Sequence, residues 1–161
     1  MTTVKVLFVC LGNICRSPTA EGVFRKHVAD RGWTNRIAID SAGTSGWHVG
    51  EPCDPRAREE AARRGIDLSA IRSRGVRPSD FEDFDYIVAM DSDNLRELKR
   101  MAPKERLSRI HRCTDFAPDL GVADVPDPYY GGSRGFEKVF DIIDASASGL
   151  LDAIKASTTG K

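Results

Sequence analysis

The sequence predicts an α/β fold: a single three-layer domain in which a four-stranded parallel sheet carries helices on both faces. Three observations predict it. Short β-branched apolar runs alternate with stretches of helical period from end to end, the order that builds a parallel sheet covered on both sides. No internal repeat and no linker breaks that order. The chain has 161 residues, 40% of them hydrophobic, which is enough for one core.

The elements follow in order. Val4 to Val9 (VKVLFV) reads as a buried strand. Ser17-Pro18 supplies a cap and a proline suited to a first helical turn. Ala20, Val23, Phe24 and Val28 then recur at helical spacing, and Gly32 marks a stop. Ile37 to Ser41 (IAIDS) is a second strand, closed by Ala42-Gly43. Pro55 to Arg64 reads as a helix ended by Gly65. Tyr86 to Met90 (YIVAM) is a third strand, and Leu95, Leu98 and Met101 form the inner face of the helix after it. Leu107 to Ile110 is a weaker fourth strand. The last helix has the strongest period, through Phe136, Val139, Phe140, Ile143, Ala147, Leu150, Leu151 and Ile154. Thr114 to Gly135 is long and rich in Asp, Pro and Gly, a loop of a length that is often functional. The domain is expected over residues 1–156, with 157–161 as a frayed tail.

Charge and cysteines exclude several classes. The 24 basic residues balance 24 acidic ones, so the basic excess of a nucleic-acid binder is missing and no nucleic-acid partner is expected. No apolar run approaches the roughly 18 residues of a membrane span, and the start lacks the regions of a signal peptide. A cytoplasmic protein with no membrane partner is expected. Cys10, Cys15, Cys53 and Cys113 make neither a disulfide scaffold nor paired C-x2-C ligands, so no metal site is expected. In a reducing compartment a cysteine with the right neighbours is of interest as a thiolate. Arg56 to Arg77 holds seven arginines against three acidic residues, and reads either as a solvated face or as a positive rim for anions.

The informative segment is Val9-Cys10-Leu11-Gly12-Asn13-Ile14-Cys15-Arg16-Ser17-Pro18. A cysteine closes the first strand, a short loop follows, and Arg16-Ser17 opens a helix. Gly12 and Asn13 tolerate left-handed backbone angles, so the loop can curl with its N–H groups inward. The helix adds its unpaired N–H groups and the positive end of its dipole, and Arg16 adds a planar fork for two phosphoryl oxygens. The same field favours a thiolate at Cys10. The C-x5-R-S spacing fits Cys10 and none of the other cysteines, whose sixth following residues are Glu21, Glu59 and Asp119. The bland alternative is a small buried cysteine. Neither a G-x4-G-K-[ST] loop nor a G-x-G-x-x-G turn is present, so nucleotide binding is unsupported.

Thiolate attack on a phosphate ester also needs a group to protonate the leaving oxygen. Asp127 sits between Pro126 and Pro128, which stiffen it, and Tyr129-Tyr130 follow. Read alone, this segment is equally an Asp-Pro turn with surface tyrosines.

Taken together, these residues resemble the low-molecular-weight protein tyrosine phosphatases. VLFVCLGNICRSPTAE (Val6–Glu21), DSAGTSGWHVG (Asp40–Gly50), DPRA (Asp54–Ala57), FDYIVAMDSDNL (Phe84–Leu95) and DPYYG (Asp127–Gly131) are similar to that family's segments, in its order. The resemblance implies a flavodoxin-like sheet of the phosphotyrosine phosphatase I type, and a cysteine-dependent enzyme with no metal or organic cofactor. It implies Cys10 as nucleophile, Arg16 as oxyanion clamp and Asp127 as general acid and then base. The substrate would lie against Leu11, Gly12, Asn13, Ile14, Cys15 and Ser17, with Ser17 bonded to the thiolate and Asn13 holding the loop's strained shape. Trp47, Tyr129 and Tyr130 would wall a deep entrance that suits phosphotyrosine better than phosphoserine, although Trp47 also reads as simple packing. The implied partner is a phosphotyrosine protein, with inorganic phosphate as product, acted on by a monomer or weak dimer. In that family a second loop cysteine, here Cys15, can form a reversible disulfide with the nucleophile.

One departure stands out. Some members carry a histidine before the third strand that supports the loop's Asn and Ser, and Ser69 to Ser79 contains none. His27 reads as a packing or surface residue. A cysteine-relay arsenate reductase is the alternative enzyme, but the Tyr86–Leu95 region lacks the extra cysteines a relay needs.

Overall fold

In the computed structural model, which describes residues 3–128 and 133–159, four strands form one parallel sheet in the order β2-β1-β3-β4. They are β1 (Val4–Cys10), β2 (Ile37–Gly43), β3 (Tyr86–Ala89) and β4 (Ile110–Arg112). The helices are α1 (Arg16–Asp30), α2 (Pro55–Arg63), α3 (Asp80–Asp83), α4 (Ser92–Met101) and α5 (Ser133–Thr159). β1 pairs with β2 along its whole length, ending with Cys10 opposite Gly43, and pairs with β3 on its other side. The order therefore reverses at β1, and the carboxyl end of a strand at such a switch point is where open α/β sheets hold ligands.

Side chains alternate across a strand, so β1 feeds both layers. Val6, Phe8 and Cys10 join a core with Phe24 of α1 and Phe140, Ile143 and Leu150 of α5. Leu7 and Val9 join the opposite core with Ile87, Phe81 of α3 and Leu98 of α4. Cys10 thus belongs, by register, to the face on which α1 lies.

Several boundaries move from their expected places. The fourth strand begins at Ile110, because Ile110 is the buried residue that pairs with Ile87, while Leu107 is exposed in a 3₁₀ segment. Met101, expected on the inner face of α4, is exposed at the helix end. Ser17 does not cap α1: the helix starts at Arg16 after Cys15, and the Ser17 hydroxyl is engaged elsewhere. α2 stops at Arg63, two residues before Gly65, which takes φ 77°. α5 continues past the boundary expected at residue 156 to Thr159.

One close approach locks α5 onto the turn after β4. A Cβ built on Gly149 would stand 1.8 Å from the carbonyl oxygen of Phe116. That oxygen is backbone and cannot rotate away, so helix and turn would have to separate. Gly149→Ala is expected to cost about 3 kcal/mol or more of folding stability. Urea denaturation checks this; an unchanged midpoint would show that the two elements part freely.

Candidate active site

The site is built from the loop between β1 and α1. Its carbonyl oxygens are held from outside. Thr44 N–H donates to the oxygen of Cys10 at 2.9 Å, Ser45 N–H to that of Leu11 at 2.8 Å and Asp54 N–H to that of Ile14 at 2.8 Å. Ser73 Oγ donates to the oxygen of Gly12 at 2.9 Å. In a trans peptide the N–H points opposite to the C=O, so the N–H groups of Leu11, Gly12, Asn13 and Cys15 turn inward. That of Asn13 reaches Cys10 Sγ at 3.2 Å. A ring of inward N–H groups against a helix N-terminus is an anion nest.

Asn13 takes the left-handed conformation, φ 57°, that lets the loop curl. Gly12, expected to share that role, has no positive φ. Its missing Cβ instead admits the His48 ring, whose Cδ2 would lie 2.9 Å from such a carbon. Gly43 serves a similar purpose at the end of β2. A Cβ there would stand 2.7 Å from the Leu11 oxygen that Ser45 holds.

Behind the sulfur lies a buried polar brace. Ser17 Oγ is 3.0 Å from Cys10 Sγ, and Asn13 Nδ2 donates to Ser17 Oγ at 2.8 Å and to Ser41 Oγ at 3.0 Å. Asn13 Oδ1 accepts from the Arg74 N–H at 3.0 Å. Two serines and a backbone amide thus support Asn13 in a chain without the histidine. Asn13 and Ser17, expected against the substrate, turn their side chains into this brace and shape the loop from behind.

Arg16 is almost fully buried and held twice. Its Nη1 donates to Asp91 Oδ2 at 2.6 Å and to the Val125 oxygen at 3.0 Å, while Nη2 lies 3.7 Å from Asp127 Oδ2. Burial works against its charge, but the neighbouring Cys10, Asp91 and Asp127 outweigh burial and hold the guanidinium above its ordinary value. Asp91 divides its carboxylate between two tasks. Oδ1 accepts from Asn94 N–H to cap α4, and Oδ2 fixes Arg16. Asp127 hangs from Val125, whose N–H pairs with the Met90 oxygen just beyond β3 at 2.9 Å. Asp124 anchors the same segment, accepting from Ser92 N–H at 3.0 Å and Ser92 Oγ at 2.8 Å.

These groups converge on a cleft of about 270 Å³. Cys10, only 2% exposed, lies at its floor, with Arg16 and Asp127 to the side and Leu11, Ile14 and Trp47 as apolar walls. Trp47 is 85% exposed, so the packing alternative is overturned and its indole stands at the mouth. Tyr129 and Tyr130 lie outside the described residues. Burial pushes the other three thiols up, Cys53 to about 11 and Cys113 to about 12. Cys15, which also lines the cleft, is pushed up by burial and then by the charges of Asp54, Cys10 and Asp127.

This arrangement can accept a phosphoryl group, attack it from below and protonate the atom it leaves. The sequence profile of the low molecular weight phosphotyrosine protein phosphatases matches residues 5–159. The chain belongs to this family of protein-tyrosine phosphatases. A low molecular weight protein-tyrosine-phosphatase of Streptomyces coelicolor is 46% identical over 162 residues, spanning 99% of this chain and 98% of that one. YfkJ of Bacillus subtilis, of the same description, is 45% identical over 94% of this chain and 96% of its own. A protein tyrosine phosphatase of Entamoeba histolytica, solved with Hepes in its active site, superposes with a TM-score of 0.94 at 42% identity, covering 97% and 99%.

The phosphatase uses residues that the sequence reading left without a role. Ser45 and His48 line the cleft, and Asp91 holds Arg16. Asp91 carried a signal, since Asp91-Ser-Asp-Asn94 forms a capping box; a carboxylate at a helix start beside a strand end invites a second partner. Four of the seven arginines of the basic segment are paired with acidic side chains. Arg56 pairs with Asp54, Arg63 and Arg64 with Glu60, and Arg74 with Asp40 and Asp80. His27 pairs with Asp144 across α1 and α5.

Proposed function

We propose that the chain hydrolyses protein phosphotyrosine and small aryl phosphates through a phosphocysteine at Cys10. The observation that carries this reading is a sulfur at the floor of a ring of inward N–H groups, with a buried guanidinium and one accessible carboxyl beside it. Cys10 Sγ attacks phosphorus in line while the ester oxygen departs with a proton from Asp127. The N–H ring and Arg16 hold the equatorial oxygens as charge gathers on them. Water then attacks the phosphocysteine, Asp127 takes its proton, and the thiolate leaves toward the Ser17 hydroxyl as inorganic phosphate forms. The cleft volume suits one aryl phosphate, and the apolar Leu11 and Trp47 favour a ring over a short aliphatic chain. Four free cysteines accord with a cytoplasmic site of action.

The test uses matched phosphopeptides. A phosphotyrosine peptide is expected to turn over at least about 100-fold faster than its phosphoserine counterpart, because the shorter side chain leaves phosphorus short of Sγ. Acid quenching during turnover is expected to trap phosphate on Cys10, read by mass spectrometry. Equal rates for the two peptides, or phosphate on any other residue, would overturn the reading.

A further inference from the structure

We propose that Arg77 makes the cleft selective for phosphotyrosine peptides that carry acidic residues on one side of the tyrosine. The inference rests on the phosphatase reading and concerns what the enzyme reads beside the phosphate. Of the seven arginines from Arg56 to Arg77, four are held by acidic side chains. Arg58 is half-buried on α2, and Arg72 spends Nη1 on the carbonyl oxygens of Ser69 and Ile71 in its own loop. Arg77 differs from them. It is exposed, and among the described residues its side chain has neither a hydrogen bond nor an ion pair.

Its place follows from the sheet. Gly75 meets Gly43 in a parallel bridge, where Gly43 N–H donates to the Arg74 oxygen at 2.8 Å and Val76 N–H to the Gly43 oxygen at 2.9 Å. Gly43 ends β2 and stands opposite Cys10. Two residues beyond the bridge the chains reach Arg77 and Ser45, and Ser45 lines the cleft. Arg77 thus lies at the carboxyl end of the sheet, on the β2 side of β1. The backbone that carries it is fixed. Its N–H donates to Asp80 Oδ2 at 2.8 Å, its oxygen accepts from Asp80 N–H at 2.9 Å, and Pro78 restricts the residue before it. The carboxylates of Asp80 and Asp40 are turned to the Arg74 guanidinium instead.

Asp127 hangs from chain that pairs beyond β3, on the other side of β1 in the order β2-β1-β3. The site therefore has an exposed carboxyl to one side and an exposed guanidinium to the other. The rim also exposes apolar Leu11, Trp47 and Val49, and its His48 is matched by Glu51. An extended peptide with its phosphotyrosine in the cleft turns alternate residues toward this surface. A carboxylate on the β2 side meets Arg77, and one on the β3 side meets Asp127. Attraction at one edge and repulsion at the other favour the same placement of an acidic flank. Such a contact is open to solvent, so the preference is modest and falls with salt.

The experiment compares three phosphotyrosine peptides: one neutral, one with two glutamates before the tyrosine and one with two after it. At low ionic strength one acidic peptide, and not the other, is expected to exceed the neutral one about three- to five-fold in kcat/KM, through KM. Arg77→Gln is expected to cut that gain below about 1.5-fold and Arg77→Glu to turn it into a loss, since both keep the backbone bonds and change only the exposed charge. Arg72→Gln removes the same charge from a groove beside α1 and is expected to keep the gain. About 0.5 M salt is expected to erase it in the unchanged protein. No gain, an equal gain on both sides of the tyrosine, a gain that survives Arg77→Gln or salt, or one lost equally in Arg72→Gln would overturn the inference. Failure of the unchanged protein to turn over p-nitrophenyl phosphate and all three peptides would instead overturn the phosphatase reading.

Discussion

Cys10→Ser is expected to abolish turnover of aryl phosphates, by at least about 10⁴-fold in kcat, while inorganic phosphate still binds. The chemistry of the site makes the loss this large. A serine hydroxyl must shed its proton to attack, and the groups facing position 10 are donors: the Asn13 N–H at 3.2 Å and the Ser17 hydroxyl at 3.0 Å. Donors stabilise a negative charge once it has formed; they do not remove a proton from oxygen. In the proposed mechanism Asp127 does not fill the gap, since it enters the first step as an acid. Binding is a separate matter. The inward N–H groups and Arg16 are untouched by the substitution, and a serine hydroxyl places no negative charge beneath the phosphate. Calorimetry is expected to give a Kd for phosphate equal to or lower than that of the unchanged protein. Residual turnover above about one part in a hundred would dismiss sulfur as the nucleophile, and loss of phosphate binding would place the anion site elsewhere.

The elements of this site were legible in the sequence to different depths, and the reason is the range of the contacts. Cys10, Arg16 and the Asn13 turn lie within one strand–loop–helix unit, so spacing and local backbone preference are enough to place them. Asp127 was legible as a stiffened carboxyl but not as a neighbour of Arg16, because that neighbourhood depends on Val125 pairing with Met90 beyond β3. The brace was the least legible part. Ser41 and Glu21 are 20 residues apart and meet only because β2 packs beside α1. Ser17 shows the opposite error. Its place before a proline gives a local cap signal, yet the helix begins one residue earlier and the hydroxyl is used by Cys10 and Asn13. Tertiary partners override local preference where a polar group must be buried, since burial without a partner is costly. Ile110 illustrates the same rule in the apolar core. A run from Leu107 reads as a strand, but only the residue that reaches Ile87 enters the sheet.

Arg16 links the local part of the site to the distant part. It comes from the loop after β1, while its partners Asp91 and Val125 belong to chain that follows β3. The two central strands therefore meet at one guanidinium, and the fork stays in place whatever happens to the exposed carboxyl beside it.

That independence gives Asp127→Ala an interpretable outcome. Asp127 is 41% exposed and lies 3.7 Å from Arg16 Nη2, close enough to feel its charge but not one of the groups that fix it. Its removal is expected to leave phosphate binding intact and to show only in proton transfer. For phenyl phosphate, whose oxygen must be protonated as it leaves, kcat/KM is expected to fall by about 10² to 10⁴. For p-nitrophenyl phosphate, whose leaving group is stable as an anion, the fall is expected to be about ten-fold or less. The second step should then limit the good substrate, because water attacking the phosphocysteine has lost its base. A burst of nitrophenol equal to the enzyme concentration is the expected result, with phosphate held on Cys10 between turnovers. Plotting log(kcat/KM) against leaving-group basicity gives the decisive measurement. A steeper slope in Asp127→Ala than in the unchanged protein identifies Asp127 as the acid. Parallel lines would mean that Asp127 acts on binding or on loop shape, and the proton would have to come from another group at the cleft.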